Sequence, residues 1–188
     1  MGILDAKKYI ADLKKKQDDP YQWPDFLTGL PDKNASLRKA LDVFDTLGRD
    51  TIFFFRIVNI EPYLIKYGPE QHADIIQWGA AILKTTADKY KGFVGSFGTH
   101  DFVVVCPTKD SVKFVQEAMK LFSSKTLSFY KKEDVMNGNL FSFKSGKKDV
   151  RVGLMKLIYA SISEKPDVPK DRLMKHLEHK CGEIEQND

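Results

Sequence analysis

The run TIFFFRIVNI, Thr51 to Ile60, constrains this chain more than any other stretch. It is β-branched and aromatic with no helical period, so it reads as a largely buried strand. A buried strand needs helices to cover it, and the flanking sequence supplies them. Leu37, Ala40, Leu41, Phe44 and Leu47 share one helical face that ends at Gly48. Pro62 interrupts the chain, and a long helix then runs from about Gln71 to Lys89 with Ile75, Gly79, Ile82 and Thr86 on one stripe. Gly92 to Phe97 and Asp101 to Cys106 read as two strands joined by Gly98-Thr99-His100, a tight hairpin. Ser111 N-caps a helix carrying Val112, Val115, Met119 and Phe122. Turn signals at Asn137-Gly138 and Ser145-Gly146 bracket the apolar run Leu140 to Phe143, giving a second hairpin. Val150 to Ile162 reads as a further core strand, and Leu173, Leu177, Cys181 and Ile184 as a last helix. The expected fold is an α/β sandwich, a central mixed but mostly antiparallel sheet flanked by helices.

The chain's 188 residues suit one domain with short appendages. We divide it into an N-terminal amphipathic helix and linker (1–20), a central domain (21–165) and a C-terminal helix with a polar tail (166–188). No apolar run approaches the roughly 20 residues that span a bilayer. The first sixteen residues lack the apolar core of a signal peptide. Two cysteines, Cys106 and Cys181, make no disulfide framework, and a cytoplasmic location is expected. A net charge of +4 is mild and argues against a nucleic-acid partner. In the first helix Ile3, Ala6, Ile10 and Leu13 repeat at 3–4–3 spacing, close to the seam that pairs helices. That stripe is expected to be a contact surface for a protein partner or a second copy of the chain.

Four landmarks occur in order. Asp25-Phe26-Leu27-Thr28-Gly29-Leu30-Pro31-Asp32-Lys33 resembles the D-x-L-T-G-L-P-N-R entry motif of GGDEF domains, the diguanylate cyclase family. Tyr67-Gly68 before a long helix resembles that family's Y-G-H-x-x-G-D. Gly92 to Phe102 lies where the family has its signature hairpin. Phe129-Tyr130 with Glu133-Asp134 and Gly138, then Leu154 to Leu157, resembles the late hairpin and strand of one subgroup. The resemblance spans about Asp25 to Ile162 and implies the cyclase fold.

The residues that the resemblance assigns to chemistry are replaced. Joining two GTP molecules needs divalent metal held by carboxylates. The family's Asp-x-Asp pair falls on Arg56 and Val58, a cation that repels metal and a valine that cannot ligate it. The signature reads Gly98-Thr99-His100-Asp101-Phe102, so His100 takes the seat of the metal-binding acid, and imidazole suits magnesium poorly. The phosphate lysine falls on Glu61, and the guanine-reading asparagine and aspartate on Leu64 and Ala73. These would leave a bound guanine with unpaired polar groups. The inhibitory product motif R-x-x-D maps to Lys89 through Gly92 and lacks its aspartate.

Simple readings suffice elsewhere. His100 and Asp101 read as an exposed turn pair, because neighbours on a hairpin point to opposite sides. His176, His179 and Cys181 lack the shared face and fourth ligand of a zinc site. Cys106 reads as a small core hydrophobe. The sequence therefore implies a catalytically inactive GGDEF-fold protein that needs no cofactor and acts as a signalling or protein-interaction module, a homodimer being one form. Binding of GTP or cyclic di-GMP is not expected. The alternative is a receptor for a nucleotide or other small ligand in the remodelled cleft, and a residual diguanylate cyclase stands last.

Overall fold

The computed structural model of the chain describes residues 2–16, 25–145 and 148–186. In order the elements are α1 (Gly2–Lys16), α2 (Lys33–Val43), β1 (Asp50–Val58), α3 (Ile60–Tyr67) and α4 (His72–Lys89). They continue with β2 (Phe93–Ser96), β3 (Asp101–Pro107), α5 (Ser111–Thr126), α6 (Lys132–Asn137) and β4 (Asn139–Ser145). Last come β5 (Lys148–Gly153), β6 (Lys156–Ile162) and α7 (Leu173–Gln186).

The main sheet has the order β2-β3-β1-β6. β1 is central, with Phe54 facing Val103 of β3 and Ala160 of β6. The pairings of β1, β2, β3 and β6 are antiparallel, and an isolated parallel bridge joins Leu47 to Asp50 beside them, so the sheet is mainly antiparallel as expected. Alternate residues of β1 feed two cores, as the pleat of a strand requires. Phe53, Phe55 and Ile57 pack with Val104 and Leu157 against Ile76, Ala80 and Leu83 of α4 and Phe114 of α5. Ile52, Phe54 and Val58 pack with Val103 and Ile158 against Ala40 of α2 and Leu173 and Leu177 of α7. Helices therefore cover both faces of the sheet.

The entry motif is built as a turn that docks on the sheet edge. The Asp25 carboxylate accepts from the Thr28 amide and hydroxyl at 2.8 and 2.7 Å. Gly29 takes a φ of +67°, where a side chain would be strained. The Pro31 carbonyl then accepts from the Ser96 amide at 2.8 Å, and the Ser36 hydroxyl donates to the Ser96 carbonyl at 2.9 Å. Both bonds fix the motif to β2.

Several local expectations need correction. The apolar run of β1 ends at Val58, and Ile60 already begins α3, with Pro62 inside its first turn. A first-turn amide has no acceptor within its own helix, so proline is tolerated there. Ser111 opens α5 as a helical residue, with its hydroxyl donating to Thr108, and Asp110 is the N-cap residue. Val112 is 66% exposed, because α5 buries Phe114, Ala118 and Phe122 instead. The Lys131–Lys148 stretch holds α6 before the hairpin, and Val150–Ile162 is two strands broken at Leu154-Met155. Ile184 is 40% exposed and outside the α7 core stripe, while Leu173, Leu177 and Cys181 are buried.

The largest correction concerns α1. Ala6 is fully buried and Ile10 is 9% exposed, both within the core that includes α4. They are core residues, so the described part of the stripe packs on its own domain at Ala6 and Ile10. Ile3 is 38% exposed at the margin, and the side chain of Leu13 lies outside the described residues. A helix of this length gains most of its stability from docking its apolar face, and α4 provides the nearest one. Ile10→Ala is expected to lower unfolding stability by about 2–3 kcal/mol, the low end for a buried isoleucine. A urea titration reads this directly, and a free contact stripe would show no loss.

β4 and β5 form their own two-stranded sheet, separate from the main one. It is tied to α3 through polar groups. Asp134 of α6 accepts from Lys66 Nζ at 2.6 Å and from the Tyr67 hydroxyl, while Lys66 also donates to the Leu140 carbonyl at 2.9 Å. Tyr63, Tyr67 and Tyr130 pack as one aromatic cluster, and the Tyr130 hydroxyl accepts from the Met155 amide at 2.6 Å. The Lys66 and Tyr67 hydrogen bonds hold the Asp134 carboxyl below its usual pKa. Its contribution is therefore present above the unfolded value near ~3.9 and is lost as pH falls through the folded value. Asp134→Asn should be less stable than the parent at pH 7. That gap should close on acidification below about pH 4, as followed by thermal unfolding across pH.

Candidate functional site

The register of the main sheet brings two substituted positions together. Arg56 on β1 faces Asp101 on β3. The guanidinium meets the carboxylate in a two-pronged pair, Nε to Oδ1 at 2.8 Å and Nη2 to Oδ2 at 3.0 Å. Its remaining arm, Nη1, donates to Glu185 of α7 at 3.0 Å. The Phe54 ring lies 5.7 Å from the guanidinium carbon. The Arg56 and Asp101 side chains are only 17% and 15% exposed. The Asp101 hydrogen bond outweighs burial and holds Arg56 more firmly protonated than a free arginine.

Asp101 is thus not part of an exposed turn. Its carboxylate is held by the arginine that stands where the resemblance expects a metal ligand. Around it the hairpin is regular, with the Phe97 and Gly98 amides donating to the Asp101 carbonyl and Ile57 donating to the His100 carbonyl. Thr99 is exposed, His100 half-buried and Phe102 fully buried. Glu185 is the partner that sequence reasoning missed. The available signal was the arginine itself, since a cation in an apolar strand needs an anion within reach.

Val58 lines a cavity of about 360 Å³ together with Asn59, Asn139, Arg151, Lys156 and Glu185. Asn59 sits in the left-handed region at φ 60° and its amide donates to the Leu154 carbonyl at 3.1 Å. Its walls are polar, with two cations, one acid and side-chain amides. Glu61 and Leu64 sit on α3 and Ala73 in the first turn of α4, the first and last exposed and Leu64 packed against the core.

The former product motif is also engaged internally. Lys89 pairs with Glu117 of α5, which also accepts from the Tyr90 hydroxyl. At position 92 a Cβ would stand 2.9 Å from the Val105 carbonyl oxygen, so an aspartate could not enter without a backbone shift. His179 is exposed beside Glu183, Cys181 is buried, and burial pushes its thiol up to about 11. Burial pushes the Cys106 thiol up to about 12. Neither is a reactive thiolate. Among the described residues no three histidines, cysteines or acids group as metal ligands, and no helix is long and apolar enough to cross a membrane.

The four-stranded antiparallel sheet, covered by helices and carrying its substituted hairpin beside β1, defines a cyclase-like α/β fold. Solved structures place it more narrowly, since the chain has the fold of GGDEF domains. The GGDEF domain of DgcB from Caulobacter crescentus, in complex with c-di-GMP, is 13% identical, with 88% of each chain covered and a TM-score of 0.58. Diguanylate cyclase SiaD of Pseudomonas aeruginosa, in complex with its activator SiaC, is 10% identical over 96% of this chain and 64% of its own, with a TM-score of 0.62. The FimX GGDEF domain of Pseudomonas aeruginosa is 11% identical over 87% and 93%, with a TM-score of 0.55. No family model matches the sequence, and no curated protein matches it.

The Arg56–Asp101 pair gives a stability test. Removing one partner strands a largely buried charge, so Arg56→Ala should cost about 2–3 kcal/mol, between the exposed and fully buried limits. The double variant Arg56→Leu/Asp101→Leu should recover most of that loss in the same denaturant titration, because it strands neither charge.

Proposed function

We propose that this protein is a GGDEF-fold signalling module without cyclase activity that acts through protein contacts. The observation that carries the reading is the Arg56–Asp101 pair. The acid retained in the signature hairpin is occupied by a guanidinium, whose fixed positive charge disfavours a divalent cation at that spot. Glu61, Leu64 and Ala73 add no groups suited to a triphosphate or a guanine edge. A fold kept without its chemistry retains its surface as the usable part. The structure of SiaD with its activator supports protein contact as a mode available to this fold.

A second reading, a receptor for a small ligand, is favoured by the polar cavity between Asn59, Arg151, Lys156 and Glu185. One set of measurements separates the readings. Incubation with GTP and magnesium or manganese should yield no cyclic di-GMP above a protein-free control, and calorimetry should show GTP binding no tighter than about millimolar. Product abolished by Asp101→Ala would overturn the proposal. Micromolar binding of GTP at one site per chain would favour the receptor.

A further inference from the structure

A second cavity, of about 290 Å³, opens at the β2 edge of the main sheet, away from the Arg56 pair. Three lysines from three separate segments converge on it: Lys39 of α2, Lys84 of α4 and Lys91 in the turn between α4 and β2. Asp50 is the one acid in its lining, and its carboxylate already accepts from the Thr46 hydroxyl at 2.9 Å. Three lysines against Asp50, with Asp88 paired to Lys84 beside the cavity, leave an excess of one positive charge, which rises to two where Lys84 turns from Asp88 to a ligand. Lys91 stands at φ 55°, a left-handed conformation in which a side-chain-bearing residue is strained, where glycine usually ends a helix. Strain kept at such a position is a feature of functional sites.

The backbone adds a donor. Ser96 uses its amide and carbonyl outward, toward Pro31 and Ser36. Alternation along a strand then turns the Val94 amide and carbonyl outward too, at the edge that lines this cavity. An outward edge amide flanked by ammonium groups is a setting for an oxyanion. Lysines often guard a sheet edge against pairing. Guarding alone, however, needs no concavity, and here the lysines surround one with an apolar floor of Val43, Phe93 and Val105.

We infer that this cavity is a binding site for a small dianionic ligand, its phosphate or paired carboxylates held by Lys39, Lys84, Lys91 and the Val94 amide. The site is distinct from the Lys89 position, which Glu117 engages on the α5 side. Lys84 and Lys89 point about 140° apart around α4, from five residues at 100° each. Lys84 would exchange its present partner Asp88 for the ligand.

The test is an amide NMR titration of the full chain with inorganic phosphate, and separately with succinate, at constant ionic strength. Saturable shifts at Val94 and Gly92 are expected with at least one of the two anions, and the anion that saturates assigns the ligand class. Lys39→Gln and Lys84→Gln should each weaken binding at least fivefold while keeping a dispersed spectrum, and Lys89→Gln should leave it unchanged. Linear, unsaturated shifts with both anions would overturn the inference. So would equal binding by the Lys39 and Lys84 variants, which would leave those lysines as edge guards only. Loss of binding in Lys89→Gln alone would move the anion to the α5 side and equally overturn it.

Discussion

Everything in this molecule is arranged around a strand buried on both faces and paired on both edges. β1 gives Phe53, Phe55 and Ile57 to one core and Ile52, Phe54 and Val58 to the other. Its neighbours β3 and β6 satisfy its backbone groups. At roughly 1.5–3 kcal/mol for each large apolar side chain buried, such a strand outweighs any polar contact in the molecule. It forces one layer of helices above the sheet and one below, and fixes where the ends of the strand emerge. The candidate site lies at one of those ends.

There the apolar logic gives way to one cation. Arg56 shares the α2–α7 side of the sheet with Phe54 and Val58, and it remains charged because Asp101 and Glu185 share its guanidinium. These three residues come from β1, β3 and α7, so the pair also reports that the hairpin and last helix are seated. The chemistry implied by the resemblance would need open carboxylates at this end. What stands here is a closed set of internal partners, the arrangement on which the proposed loss of catalysis rests.

The sequence made the large elements legible and the small ones obscure. The β1 run and the α4 stripe of Ile75, Gly79, Ile82 and Thr86 are continuous patterns, and each lies buried where its period places it. α3 was hidden because Pro62 looks like a break, although a proline in the first turn costs a helix no hydrogen bond. The six residues of α6 are too few for any period to emerge. Leu154-Met155 parts two strands without a polar residue to mark the join. At the candidate site the substitutions could be read one by one, but not the contact between Arg56 and Asp101, which joins residues 45 apart through strand register. The α1 stripe was ambiguous in kind, since the same spacing serves a helix docking on its own domain and one docking on a partner.

The separate β4–β5 sheet gives the molecule two degrees of cooperativity. Among the described residues it shares no strand pairing with the main sheet, and the Lys66–Leu140, Asn59–Leu154 and Tyr130–Met155 bonds join it or its connecting residues to the body. Such a unit can open by parting a few polar contacts and withdrawing Leu140 and Phe141 from the margin of one core, while β1 stays packed. Its amides will therefore exchange with solvent by a local route, well ahead of those in β1, whose protection ends only when the whole domain unfolds.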